Sequence, residues 1–88
     1  MLEMWFAIGD IRAFEYTLID EALFDPSEGV TLRFGRQRVI IKGQRLRPHF
    51  GGIVRHAVRW ICEAERNQAF GIAENDPIAE SIRVVEEP

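Results

Sequence analysis

Cysteine is almost missing from this chain. Cys62 is its single thiol, so no disulfide framework can form within the chain and packing has to hold the fold. One thiol also fits a reducing compartment, and a cytoplasmic protein is expected. Histidine is nearly as scarce, with only His49 and His56. Seven residues apart on a helix, they would share a side about 10 Å apart along the axis, too far for one metal ion without a ligand between. No cysteine or acid pattern with metal spacing surrounds them, so neither a metal nor another cofactor is expected. Long apolar runs are absent too. The segment "MLEMWFAIGD" is broken by Glu3 and has no preceding basic residue, which argues against a signal peptide and a membrane helix.

The most informative absence is local. The chain carries 14 acids and a net charge of −3, yet residues 29–62 contain neither Asp nor Glu. An even spread would place about five acids there. That block instead holds eight bases: Arg33, Arg36, Arg38, Lys42, Arg45, Arg47, Arg55 and Arg59. Residues 1–28 carry seven acids against Arg12 alone, and residues 63–88 carry seven against Arg66 and Arg83. A strongly basic centre thus lies between two acidic ends.

What is present suits a soluble globular chain. At 88 residues, 47% apolar and 28% charged, there is material for one modest core, so residues 1–88 are read as a single domain. The clearest β signal is "VTLRFGRQRVIIKG". With Gly35-Arg36 as a two-residue turn, Arg33 faces Arg38, Leu32 faces Val39 and Val30 faces Ile41. Val30, Leu32, Phe34, Val39 and Ile41 then share one face, while Thr31, Arg33, Arg38, Ile40 and Lys42 share the other. A one-residue slip would mix the two sets. Facing Arg33 with Arg38 is unfavourable unless an acid or anion lies nearby.

After Gly43, read as closing this hairpin, Pro48 suits a first helical turn. Phe50, Ile53, Val54, Ala57, Val58, Trp60, Ile61 and Ala64 fall within an arc of about 160° at helical spacing. A long amphipathic helix over about 48–66 is therefore expected. A competing reading breaks it near His56 and makes "AVRWICE" a strand, but Arg59 and Cys62 alternate poorly for that. "MWFAI" reads as a short buried strand or apolar arm. Residues 11–24 are ambiguous: Ile11, Phe14, Leu18 and Ala22 share a helical face, whereas Phe14, Tyr16 and Leu18 alternate as in a strand, and helix is slightly favoured. "ESIRVVE" reads as a final strand with Ile82 and Val84 inward. The expected class is α+β, a small mostly antiparallel sheet with a central β-hairpin (about 30–42) packed against that helix.

No catalytic constellation emerges. On the expected helix Cys62 points away from His56, about 120° round the axis, so it lacks a base. The pairs Asp20-Glu21 and Glu63/Glu65 diverge on a helix and are expected to solvate a surface. "RPHFGGI" would set Arg45, Arg47 and two glycines at a helix N-terminus, where an anion is favoured. It lacks the Gly-Lys-Ser/Thr end of a phosphate loop, and the glycines serve equally for close packing against the sheet.

Two explanations remain for the basic centre. Its residues Arg33, Arg36, Arg38, Lys42, Arg45 and Arg47 are candidates for binding an anion or a partner. In one explanation the acidic ends fold against the centre, within the chain or across a homodimer, giving a non-enzymatic, self-associating interaction module with a protein partner. In the alternative, the block binds nucleic acid or another polyanion through charge-assisted arginine contacts. The acidic overall charge and the lack of an aromatic row on the basic face weigh against it.

Overall fold

The computed structural model describes residues 1–63 and 78–86. It is an α+β arrangement of two sheets and a short helix. The first sheet has the order β2-β1-β6, formed by β1 (Leu2–Trp5), β2 (Ile11–Phe14) and β6 (Trp60–Cys62). β1 pairs antiparallel with β2 and parallel with β6. The second sheet, all antiparallel, has the order β3-β4-β5-β7: β3 (Glu21–Asp25), β4 (Gly29–Phe34), β5 (Gln37–Gln44) and β7 (Ile78–Glu86). Helix α1 spans Arg47–Val54.

Period-2 alternation builds the core. Leu2 and Met4 of β1 and Ile61 of β6 join Val30, Leu32, Val39 and Ile41 of β4 and β5 in one buried cluster. Phe14, Leu46, Ile53, Ala79 and Ile82 complete it. β4 and β5 pair as Val30↔Ile41, Leu32↔Val39 and Arg33↔Arg38, the pairs that the alternation predicts. Gly35 takes the positive φ of 61° that the first turn position requires. Gly43 does not close this hairpin. It lies inside β5 at a bulge opposite β7, and a Cβ there would sit 1.8 Å from the Ile78 carbonyl oxygen, so only glycine lets the two backbones approach so closely. Between β3 and β4, the Asp25 carboxylate accepts the Ser27 N–H (2.8 Å) and hydroxyl (2.7 Å). These bonds hold its carboxyl below the usual range.

The long helix over 48–66 is not formed. α1 stops at Val54, and residues 60–62 form β6. The stop is a reversal in which His56 takes φ 56°, its N–H donates to Ile53 C=O, and the Ala57 N–H reaches back to Gly52 C=O. Glycine usually fills that left-handed position. Here the imidazole is held there by stacking on Tyr16, with ring centroids 4.6 Å apart. The Tyr16 hydroxyl donates to the Val58 carbonyl, pinning the chain as it leaves the helix. A Cβ on Gly52 would meet Val58 Cγ2 at 2.6 Å, so this glycine serves the same reversal rather than packing on the sheet. α1 itself lies against β3, where Phe50 meets Phe24 with centroids 5.8 Å apart.

The slight preference for helix over 11–24 is likewise overturned. These residues form β2, a 3-10 turn at Tyr16–Leu18 and the start of β3. Strands of four and five residues are too short to outweigh an accidental helical spacing. "MWFAI" contributes to β1, with Met4 buried and Trp5 on the outer side. The final strand is longer than its motif, running Ile78–Glu86, with Ile82 buried and Val84 half-buried. Residues 64–66 of the expected helix lie outside the described residues.

Candidate functional site

Strand order decides where the basic block goes. β4 and β5 occupy the middle of their sheet, between β3 from the acidic N-terminal segment and β7 from the acidic C-terminal one. On the outer face Arg33 and Arg38 lie opposite each other, and Glu21 of β3 lies opposite Arg33. An acid therefore stands beside the like-charge pair, which eases its repulsion. Lys42 lies further along the same face, and Arg83 of β7 is opposite Ile40. Arg36 stands at the turn between β4 and β5. Arg45 and Arg47 follow the far end of β5, eight strand residues away, or about 25 Å at the usual rise. The six candidates are thus divided between the two ends of one strand.

At that far end Arg45 has φ 55°, and its Nη1 lies 3.4 Å from Gln44 Oε1. Arg47 is the first residue of α1 and is exposed. His49 is half-buried in α1, not a surface residue, and burial pushes its imidazole below the ordinary range. Among the described residues, no three His, Cys, Asp or Glu side chains form a group that could hold a metal ion. Glu63 does not merely solvate a surface. Its carboxylate accepts the Ala7 N–H (2.9 Å) and the Ile82 N–H (2.7 Å), tying the first sheet to β7.

A different surface collects the exposed aromatics of the described residues. Alternation along β1 and β6 sends Met4 and Ile61 inward, and Trp5 and Trp60 outward. The two indoles stack with centroids 5.1 Å apart and planes 26° from parallel. Trp5 is 37% exposed and Trp60 52%. Ile11, 55% exposed, lies opposite Trp5 on β2, and exposed Ala13 lies opposite Glu3. Among the described residues, the acid on this face is Glu3, which accepts the Trp5 indole N–H at 2.9 Å. Cys62, opposite Trp5 on β6, is also exposed. Helical periodicity hides this face by assigning Trp60 to a buried arc. The strand at "WIC" alternates after all, with Ile61 inward and Cys62 outward, against the reading of Arg59 and Cys62 as poorly alternating.

A cleft of about 500 Å³ opens beside the 3-10 turn. Phe14, Leu18 and Phe34 contribute apolar lining, and Glu15 and Asp20 contribute carboxylates. None of the six basic candidates lines it. No helix among the described residues is long and apolar enough to cross a membrane. No protein-family model matches the chain, and neither a curated protein nor a solved structure matches it.

Proposed function

We propose that this protein is a small non-enzymatic interaction module that self-associates through the outer face of the β2-β1-β6 sheet. The observation that carries this reading is the stacked Trp5–Trp60 pair, left about half exposed beside Ile11. Aromatic side chains in a contiguous exposed patch are typical anchors of protein interfaces. A second copy fits because the face is nearly neutral. Its Glu3 carboxylate already accepts an indole N–H, which lowers the cost of covering it when two copies meet about a two-fold axis. Two flat sheet faces can stack about 10 Å apart with side chains interdigitated.

Both tryptophans of the chain lie in this face, so its whole indole fluorescence reports on the face. Concentrating the protein through a dissociation constant of about 1–100 μM should shift the emission to the blue as light scattering passes from monomer to dimer mass. Trp60→Lys should remain folded and monomeric. A monomer at millimolar concentration would dismiss self-association. A dimer that survives Trp60→Lys with unchanged emission would place the contact elsewhere.

The second reading is polyanion binding by Arg33, Arg38, Lys42 and Arg83, which share one sheet face. Labelled DNA and RNA, titrated by anisotropy at about 0.05 and 0.2 M salt, test it: phosphate contacts give steeply salt-dependent binding. Arg33→Glu combined with Arg38→Glu should abolish such binding. Were the double variant to keep wild-type binding and assembly, this face would be only a solvated surface.

A further inference from the structure

We propose that the cleft beside the 3-10 turn receives an arginine or lysine side chain from a partner polypeptide. This site borders the tryptophan face at Ala13 but does not depend on it. Its volume of about 500 Å³ lies within the range that organic groups fill. The Phe14 and Phe34 rings meet with centroids 4.7 Å apart, and Leu18 beside them is 62% exposed. Both carboxylates of the lining come from the segment that joins the two sheets. Asp20 is fixed twice by β4 and its turn: its N–H donates to Arg33 C=O (2.8 Å), and its Oδ2 accepts the Gly35 N–H (2.7 Å). No Lys, Arg or His side chain contributes to the lining; Met1, which carries the α-amino group, lies at its edge.

This combination selects its occupant. A neutral apolar group would strip water from two carboxylates and return nothing. A bare inorganic cation would lose hydration against phenylalanine and leucine. A long cationic side chain satisfies both requirements, laying its stem on the apolar surface and bringing its head to the acids. The protein supplies its own precedent: the Arg12 guanidinium carbon sits 5.2 Å from the Phe14 ring centroid, a cation–π distance.

The test follows backbone amide shifts of isotope-labelled protein during titration with the capped tripeptide Gly-Arg-Gly, its lysine analogue, and a citrulline analogue that keeps the shape without the charge. Both cationic tripeptides should move the Leu18 and Gly35 amides saturably, with citrulline at least about tenfold weaker. Glu15→Gln and Asp20→Asn should each weaken binding roughly fivefold. Asparagine still offers an oxygen to the Gly35 N–H, so that variant keeps the turn, and Glu15 is exposed. Equal binding of arginine and citrulline peptides, or no shift at about 20 mM peptide, would overturn the proposal. Methylguanidinium binding as tightly as the tripeptide would assign the cleft to a free cation instead. If Arg36→Gln both dissociated the protein and opened the cleft to peptide, the occupant would be Arg36 of a second copy, and a foreign partner would be ruled out.

Discussion

Adjacent glycines in α1 should respond in opposite directions to the same added methyl group. At Gly51 a Cβ would meet nothing closer than the Arg55 guanidinium at 3.5 Å, an ordinary contact. Alanine there removes helix-interior glycine entropy and should stabilise the protein by about 0.5–1 kcal/mol. At Gly52 the same Cβ would lie 2.6 Å from Val58 Cγ2. Valine is stiff at χ1, and Val58 is held in place through its carbonyl, which accepts the Tyr16 hydroxyl. Overpacking of this kind costs about 1–3 kcal/mol. The two variants should therefore differ by roughly 2 kcal/mol or more, about 10 °C in Tm for a domain of this size. Thermal melts followed by circular dichroism measure the gap, and Gly51→Ala should lie above wild type. Val58→Ala gives an internal control, since it removes the offending methyl and should restore much of the loss caused by Gly52→Ala. A continuous helix over 48–66 would make both alanines stabilising. That outcome would refute the chain reversal after Val54.

Glu63→Ala should destabilise by about 2–4 kcal/mol in urea titrations, because the Ala7 and Ile82 N–H groups both lose a charged acceptor. Glu63→Gln should recover only part, since its oxygen can still accept one of the two N–H groups while its amide presents a donor to the other. Tyr16→Phe should cost about 1 kcal/mol at neutral pH by removing the bond to Val58. Burial pushes the Tyr16 phenol above its ordinary value of 10.0, so its contribution is complete below that pH and fades as pH rises through the folded value. The Phe variant should lack that alkaline loss in Tm measured against pH. Burial lowers the His49 pKa from 6.5, so its contribution is full above 6.5 and is lost as pH falls through the lower folded value. His49→Gln should flatten the acid side of the same curve.

What could be read from the sequence follows from which signals were local. The β4–β5 register was legible because five apolar positions alternate on either side of a glycine that can turn. Helix α1 was legible at its start, where Pro48 precedes an apolar face, and illegible at its end. The left-handed position is held by His56, whose reason for being there is a ring forty residues earlier. No window of sequence contains that contact. The same break hid Trp60, since a period of 3.6 and a period of 2 give opposite faces to a residue beyond an unseen turn. Segment 11–24 misled for a related reason. Its strands are fixed by partners in two different sheets, β1 for one and β4 for the other, while its own spacing also suits a helix. The cleft was illegible because Phe14 and Phe34 meet only when the sheets do. Glu63 looked like a surface acid because the amides it binds lie 56 and 19 residues away.

The charge blocks acquire a different meaning once strand order is known. A basic stretch within an acidic chain suggests an external anion as long as the stretch is pictured alone. In the sheet it has a strand from an acidic segment on each side, and those strands supply Glu21 and Asp25 on one flank and Glu80 and Glu86, with Arg83, on the other. Charges alternating across neighbouring strands cancel within about a Debye length, roughly 8 Å at physiological salt. Little field then remains to steer a polyanion from a distance. The cancellation has a second consequence. If the flanking acids neutralise the second sheet from within, the outer face of the first sheet is left as the apolar surface and the cleft as the acidic one. Under the two proposals above, the partners of those surfaces are an apolar face and a cationic side chain. An Arg33 and Arg38 charge reversal should then leave both kinds of binding intact, and that result separates this account from one in which the arginines meet the partner.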